Sequence, residues 1–266
     1  MRCRLCAGSH LKSLIDEQAW LAFAATCEDE RALHAAQVQS NPELRFGGIV
    51  QCGDCGFASV AQVPSPEALT AFYQNYFANQ HYADKGPKKI RRAERWLKRL
   101  GNLPQGGAFL DVGCNQGFAV EAARLSGMQA SGIEIDSEAV NAAQARFPAC
   151  RFINETLAEH ANVNAGAYDL VWCSEVLEHV PDFGGFARDL AALVKPGGRL
   201  YLTTPDAGHW RRPGDLTRWG EVKPPEHINW FTRKNLRALF APHGLDVRFL
   251  WRTKPGAHMI ATRSTS

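Results

Sequence analysis

The chain has 266 residues, of which 45% are hydrophobic and 21% are charged, with a net charge of +3. These proportions are ordinary for a globular protein and exclude a disordered, collagen-like or coiled-coil chain as an overall description, while the charge is too small to indicate nucleic-acid binding by itself. No apolar run approaches the roughly 20 residues of a membrane span, and no apolar stretch follows the N-terminus as in a secretory signal, so we expect a cytoplasmic protein.

Cysteine pairs come first along the chain. In the cytoplasm, cysteines indicate metal binding or catalysis before disulfides, and two C-x-x-C pairs favour metal over a redox dithiol. Four thiolates form a closed structural zinc site that has no open position for chemistry. We therefore predict a zinc-binding module over residues 1–65, with a helical insertion over 16–39. Its predicted zinc ligands are Cys3 and Cys6 from the first pair and Cys52 and Cys55 from the second.

Residues 66–105 are predicted to be a helical connector, interrupted at Gly86-Pro87. Between Lys85 and Arg99 there are eight basic residues and one acid. Such a run could bind the phosphates of RNA or of a nucleotide-sugar. It also fits an amphipathic helix with a solvated basic face, which is the favoured interpretation. The inward side of that helix would consist of Ile90, Trp96, Leu97 and Leu100.

Residues 106–266 alternate short apolar strands with amphipathic helices, a pattern typical of a parallel sheet with both faces covered. The predicted strands cover 108–112, 129–135, 150–154, 168–173, 199–204, 246–251 and 258–262. The predicted helices cover 117–125, the segment capped by Ser137, 183–194 and 232–243. A stop and turn is predicted at Lys195-Pro-Gly-Gly198, and the last two strands could form an antiparallel hairpin at one edge.

A glycine-containing loop, Asp111-Val-Gly-Cys-Asn-Gln-Gly117, follows the first of these strands. Ligands of open α/β sheets bind at the carboxyl ends of the strands, and Gly113 and Gly117 allow the backbone to approach a ligand. Asp111 can accept from a ligand ammonium, and Glu134, at the end of the second strand, can accept from both hydroxyls of a ribose. Because G-x-G-x-x-G is absent, an adenosine ligand without a pyrophosphate suits the loop better than a dinucleotide.

This combination resembles class I S-adenosylmethionine-dependent methyltransferases over about residues 106–263. The resemblance implies an α/β fold with a Rossmann-like seven-stranded sheet, preceded here by a small zinc-ribbon-like module, and S-adenosylmethionine as cofactor. In that family the glycine loop holds the amino-acid part of the cofactor, and the segment after the third strand contacts adenine. The implied cofactor-binding residues are Asp111, Gly113, Cys114, Asn115, Gly117, Glu134, Ile135, Asn154, Glu155, Thr156 and Ser174.

The loop and the cysteine pairs are similar to those of zinc-bearing sugar C-methyltransferases. Those enzymes also carry a tyrosine-rich segment that could cover the cofactor cleft, matched here by Phe72, Tyr73, Tyr76, Phe77 and Tyr82. The same segment could equally be an ordinary helix packed on its aromatic residues. We expect no counterpart of the additional C-terminal domain of those enzymes, so both oxygen and carbon stay open as methyl acceptors.

Glu175, Glu178 and His179 follow the fourth predicted strand, close to where a methyl group would be delivered. The near-neutral pKa of histidine suits a general base, so we predict His179 in that role with Glu178 orienting it. Alternatively these residues and His227 could bind Mg²⁺ or a transition metal, an arrangement that resembles ubiquinone-pathway O-methyltransferases and small-RNA 2′-O-methyltransferases. A third interpretation is that the pair only caps a helix and packs the cleft.

The predicted loop over 205–230 follows the fifth strand above the same cleft, and a loop of this length is usually functional. Its aromatic residues and arginines suit a sugar or a phosphate-bearing acceptor, or else the loop is a surface lid packed on its tryptophans. These residues are His209, Trp210, Arg211, Arg212 and Trp219.

The sequence therefore predicts an S-adenosylmethionine-dependent methyltransferase acting by O- or C-methylation on a small-molecule acceptor, such as a sugar, a secondary metabolite or a cell-surface precursor. Two alternatives stay open. One is an RNA methyltransferase with a zinc module, for which nucleic acid would be the partner. The other is a cofactor-binding module without catalysis.

Overall fold

The structure is a computed structural model that describes residues 1–76, 86–251 and 253–265. Of the predicted features, Phe77, Tyr82 and Lys85 lie outside the described residues. Two β-sheets organise the described chain, one with four strands and one with seven. None of the helices in these ranges is both long enough and apolar enough to cross a bilayer.

The first part of the chain forms a small α/β unit that contains the predicted helical insertion. Its elements are β1 (Leu11–Ile15), α1 (Glu17–Ala24), α2 (Glu30–Ser40), β2 (Ile49–Cys52) and β3 (Ala58–Val60). Aspartates cap both helices, because the carboxylates of Asp16 and Asp29 accept from backbone N–H groups of the first turn. The second cysteine pair lies at the end of β2 and in the turn that follows it.

Two helices connect this unit to the large sheet: α3 (Pro66–Tyr76) and α4 (Gly86–Leu100). Helix α4 buries Ala93, Trp96, Leu97 and Leu100, and Ile90 packs partly against the same core. The indole of Trp96 lies 4.4 Å from the ring of His258. The basic residues of α4 therefore occupy its outer side, as the solvated-face interpretation predicts.

The remaining chain builds a seven-stranded sheet with helices in the connections. The elements are β4 (Ala108–Val112), α5 (Phe118–Leu125), β5 (Gln129–Glu134), α6 (Ser137–Arg146), β6 (Arg151–Asn154), α7 (Leu157–Val163), β7 (Tyr168–Ser174), α8 (Phe183–Leu193), β8 (Val194–Pro205), β9 (Asn229–Trp230), α9 (Arg233–Phe240), β10 (Leu245–Leu250) and β11 (Gly256–Arg263). The strand order is β10-β11-β8-β7-β4-β5-β6. Strands β4 to β8 run parallel, whereas β11 pairs antiparallel with both β8 and β10. The α/β class and the edge hairpin are confirmed.

Two local predictions need correction. The cap of α6 is Asp136, whose carboxylate accepts from the first-turn N–H groups, and Ser137 is the first helical residue. Strand β8 begins at Val194, so the predicted turn at 195–198 lies inside it as an irregularity. The pairing of β8 with β7 shifts between Tyr168 and Leu170, which is where the extra residues are accommodated.

The four-stranded sheet joins the N-terminal unit to the loop after β8. Its order is β1-β2-β3-β9, so the loop after β8 supplies the fourth strand to the cysteine-bearing unit. Trp219, Val222 and Trp230 of that loop share one buried core with Trp20 and Phe46. The loop residues 206–230 are therefore held against the N-terminal part of the chain, above the carboxyl edge of the large sheet.

Candidate active site

Glu134 connects the glycine loop to the end of β5. Its carboxylate is buried and accepts from the backbone N–H groups of Asn115 at 3.0 Å, Ile135 at 2.8 Å and Asp136 at 3.2 Å. Burial raises the pKa of Glu134, although these three donors oppose the shift. The loop is thereby folded around the carboxylate for which the sequence pattern predicts ribose binding.

Asp111, at the carboxyl end of β4, shares this region with Glu134. It is 5% exposed, and burial together with the charge of Glu134 raises its pKa well above the usual range. Two buried carboxylates in one place favour a ligand that brings positive charge and hydroxyl donors. An ammonium group beside a ribose has this character.

The loop glycines are required by packing as well as by ligand approach. Gly113 has φ +72°, and a Cβ there would lie 2.7 Å from a methyl of Val176. Gly117 has φ +78°, and a Cβ would lie 2.5 Å from the ring of Phe152. Asn115 has φ +46°, a left-handed conformation that asparagine tolerates better than most residues. Cys114 points into the core, where burial raises the pKa of its thiol.

The residues predicted to meet adenine have structural partners for their side chains. The amide of Asn154 donates to the carbonyl oxygens of Glu134 and Ile135 at 2.9 and 3.0 Å. Glu155 pairs with His160, and Thr156 caps α7. In contrast, Ile135 is 70% exposed beside Glu134 and leaves an open apolar surface at this edge.

Hydroxyl groups join the ends of β7 and β8. The hydroxyl of Thr203 donates to Glu175 at 2.6 Å, so the contact of 2.8 Å between Ser174 and Thr203 has Ser174 as donor. Glu175 has φ +57° and lies at the surface. A second carboxylate, that of Glu178, accepts from the hydroxyl of Thr204 at 2.9 Å. Neither threonine is among the predicted site residues, because nothing in a strand pattern distinguishes them from core positions.

Glu178, His179 and His227 form a compact cluster. Each of them offers a ligand atom, and these atoms all lie within 4.8 Å of one another. Glu178 is fully buried, and its Oε1 has no hydrogen-bond partner among the described residues. That oxygen lies 4.0 Å from Nε2 of His227. Burial and the nearby charge of Glu175 raise the pKa of Glu178 well above the usual range.

Both histidines of the cluster are oriented by backbone carbonyls. Nδ1 of His179 donates to the carbonyl of Glu226, and Nδ1 of His227 donates to that of Glu221, each at 2.9 Å. The Nε2 lone pairs are therefore free for a proton or a metal. Burial, with the charge of Lys223, lowers the pKa of His179 to about 4, and burial lowers that of His227 well below its ordinary value. Both rings are neutral near pH 7.

Helix α3 reaches this cluster through Tyr73. Its hydroxyl lies 3.2 Å from both Nδ1 of His179 and the carbonyl oxygen of Glu226. Phe72 is buried in the core of the N-terminal part. At the start of the tyrosine-rich segment, Phe72 thus packs in a core as the packed-helix interpretation expects, and Tyr73 contacts the candidate cluster.

The four paired cysteines come together as predicted. All four Sγ atoms lie within 4.8 Å of one another, and none of the cysteines forms a disulfide. Cys3 and Cys55 are 3.7 Å apart at sulfur, and Cys6 and Cys52 are 3.6 Å apart. Zn–S bonds of about 2.3 Å in a tetrahedron place sulfurs about 3.8 Å apart, so the spacing fits a Cys₄ metal site.

Comparison with known proteins identifies the family. A family model described as "Methyltransferase domain" matches residues 80–249. The chain belongs to this methyltransferase family. A ubiquinone biosynthesis O-methyltransferase from Cronobacter sakazakii is 32% identical over 201 residues, which cover 59% of this chain and 80% of that protein. One from Vibrio parahaemolyticus is 39% identical over 103 residues, which cover 37% of this chain and 44% of that protein.

Solved structures share the fold. Magnesium protoporphyrin IX methyltransferase from Synechocystis, with bound S-adenosylhomocysteine, aligns with a TM-score of 0.52 at 24% identity over 66% of this chain and 83% of that one. A chain from the complex of the Haloferax volcanii Trm112 activator with a methyltransferase aligns with a TM-score of 0.56 at 17% identity over 70% and 95%. The family match and the shared fold together identify the protein as an S-adenosylmethionine-dependent methyltransferase with a class I fold. The similarity to sugar C-methyltransferases stays a prediction.

Proposed function

We propose that this methyltransferase methylates an oxygen of a small-molecule acceptor, and that Glu178, His179 and His227 hold a divalent transition-metal ion that binds the acceptor. One observation carries the metal assignment. A fully buried carboxylate oxygen of Glu178 has no protein partner among the described residues and faces the free Nε2 of His227 at 4.0 Å. A buried polar atom of this kind is costly unless a ligand satisfies it.

The donor set fits a metal better than a general base. A base works best when its pKa lies near the operating pH, and a pKa of about 4 makes His179 a weak one. Two neutral imidazoles and one carboxylate suit a first-row transition ion, whereas Mg²⁺ prefers oxygen ligands. The ion would supply Lewis acidity that lowers the pKa of an acceptor hydroxyl. The protein's own part is to orient both rings through backbone carbonyls and to exclude water.

For the cofactor, we propose that Asp111 accepts from the amino group and Glu134 from the ribose hydroxyls. Both carboxylates are buried at adjacent strand ends, where burial raises their pKa values. Exposed Ile135 supplies an apolar face for adenine. Because Asn154 and Thr156 are engaged with the backbone, they shape the end of this pocket by holding β5 and α7.

We further propose a structural Zn²⁺ at the four cysteines. The sulfur spacing supports this role, and four thiolates leave no open position for catalysis. The oxygen acceptor is supported by the curated relatives, which are named as O-methyltransferases. The RNA alternative gains nothing from α4, whose basic residues lie on the solvated side of a packed helix.

The test is methyl transfer from labelled S-adenosylmethionine to a panel of phenols and sugars, combined with metal analysis. We expect two metal ions per wild-type chain and one in His227→Ala. This variant should lose turnover, while its affinity for the cofactor, measured by calorimetry, should be unchanged. His243→Ala, on the turn after α9, is the matched control. Full turnover in His227→Ala would refute the cluster's role. Lost turnover with unchanged metal content would instead favour His179 as the base.

A further inference from the structure

A separate cavity lies on the same side of the large sheet as the candidate site. It has a volume of about 340 Å³ and is formed where β8 and β10 end and α9 begins. Its lining includes Asp206, His209, Trp210, Arg233, Lys234 and Trp251. None of its lining residues belongs to the glycine loop or to the Glu178 cluster. This volume is within the range of small-molecule sites.

Two tryptophans line this cavity and are largely exposed to solvent. Trp210 is 74% exposed and Trp251 is 72% exposed, and the ring of Trp210 is contacted by His209 and by the guanidinium of Arg211. The ring of His209 is stacked on Trp210 with a centroid separation of 5.9 Å, which holds the indole in place. Exposed aromatic rings beside a cavity with charged side chains are typical of sites that receive the face of a ligand ring.

The charge of the cavity is positive and only partly compensated. Arg233 is paired with the buried carboxylate of Asp206 at 2.9 Å. Lys234 has no ion pair in the part of the chain that the structure describes, and it is exposed. Both cations lie in the first turn of α9, where the helix dipole disfavours positive charge. An anionic ligand group would compensate these positive charges.

We propose that this cavity binds a phosphorylated ring compound, with the ring against Trp210 and Trp251 and the phosphate paired with Lys234. A nucleotide or a sugar phosphate has this chemistry, and either a free small molecule or the terminal nucleotide of an RNA could supply it. The assignment of this cavity to part of the methyl acceptor rests on the proposed function. Binding itself does not, because it requires neither the metal nor methyl transfer.

The experiment is calorimetric titration of the full chain with uridine 5′-monophosphate, glucose 1-phosphate and inorganic phosphate. We expect both ring compounds to bind at least tenfold more tightly than phosphate alone. Trp210→Ala should remove that advantage, and Trp210→Phe should restore most of it. Lys234→Ala should weaken all three probes at least tenfold, whereas Lys98→Ala, on the outer side of α4, should have no effect.

Two further readouts keep the outcomes distinct. The affinity for S-adenosylhomocysteine should be unchanged in every variant, which shows that the fold and the cofactor site are intact. A short RNA that binds more than tenfold more tightly than the mononucleotide would identify an RNA end as the source, and equal or weaker binding would identify a free small molecule. The proposal is overturned if the ring compounds bind no better than phosphate, or if Lys234→Ala leaves all affinities unchanged.

Discussion

Asn229 joins the cysteine-bearing unit to the candidate catalytic cluster, and its replacement by alanine tests that connection. The side chain is fully buried in β9, two residues after His227. Its amide donates to the carbonyl of Val180 at 2.8 Å, directly after His179. Its oxygen accepts from Arg4 at 3.2 Å, and Arg4 lies between the cysteines of the first pair.

The magnitude follows from these two contacts. Leaving a buried carbonyl such as that of Val180 without its donor costs about 1–3 kcal/mol. The contact with Arg4 adds about 1 kcal/mol, the usual net contribution of one hydrogen bond. We therefore expect Asn229→Ala to lower the free energy of unfolding by about 2 kcal/mol, or roughly 30-fold in the folded-to-unfolded ratio. Turnover should fall about tenfold, because both histidines lose a support.

Urea unfolding and steady-state kinetics measure these effects. The midpoint should shift with little change in the m-value, while affinity for S-adenosylhomocysteine stays constant. Arg4→Ala should cost less than Asn229→Ala, and the pair should couple by roughly 0.5–1 kcal/mol in a double-mutant cycle. Arg2→Ala, an exposed neighbour, is the control. Strict additivity of the two changes together with unaltered turnover would refute a mechanical link between cysteine unit and cluster.

Three other predictions concern separate parts of the molecule. Cys52→Ser should remove about one zinc per chain and lower the melting temperature, while Cys27→Ser leaves both unchanged; a metal-free wild-type chain would contradict the Cys₄ site. Gly117→Ala should lower the free energy of unfolding by more than about 2 kcal/mol, because it adds a clash with the ring of Phe152 to the cost of a left-handed backbone. Gly166 has φ +64° with open space around it, so Gly166→Ala should lower it by only about 1–2 kcal/mol. Urea unfolding measures both changes. Burial raises the pKa of Asp111, so stability without cofactor should fall as pH rises from about 4 through that raised pKa. Asp111→Asn should lessen this fall, while Glu134 and Glu178, whose pKa values are also raised, maintain the rest of it; parallel pH profiles of the two proteins would show the reasoning to be wrong.

The sequence predicted most of the large sheet because its strands are short apolar runs with strong stops. Gly113 and Gly117 mark the loop after β4, and Gly244, with φ +71°, ends the turn after α9. The acids at Asp111 and Glu134 lie at strand ends, so a parallel sheet necessarily brings them to one edge. The cysteine pairs were equally predictable, because two C-x-x-C motifs have few other uses in one chain.

Other features depend on contacts that no local pattern records. Tyr73 reaches His179 across more than 100 residues of sequence, and Thr204 supports Glu178 from the neighbouring strand. Strand β9 is two residues long and carries no periodicity, so its pairing with β3 could not be predicted. The side chain of Thr156 illustrates the opposite difficulty, since a position after a strand can serve a ligand or cap the next helix.

The position of β9 has a mechanistic consequence for the cysteine unit. His227 lies on the segment that leads into β9, and β9 is held on one side by β3 and through Asn229 by Arg4. The backbone N–H of Ile228 also donates to the carbonyl of Glu178 at 2.9 Å. Both halves of the cluster are thus fixed by a sheet that the cysteine-bearing unit completes. The proposed zinc ion would therefore affect turnover without taking part in the chemistry. Its removal would loosen the cysteine-bearing unit and with it β3, which supports β9.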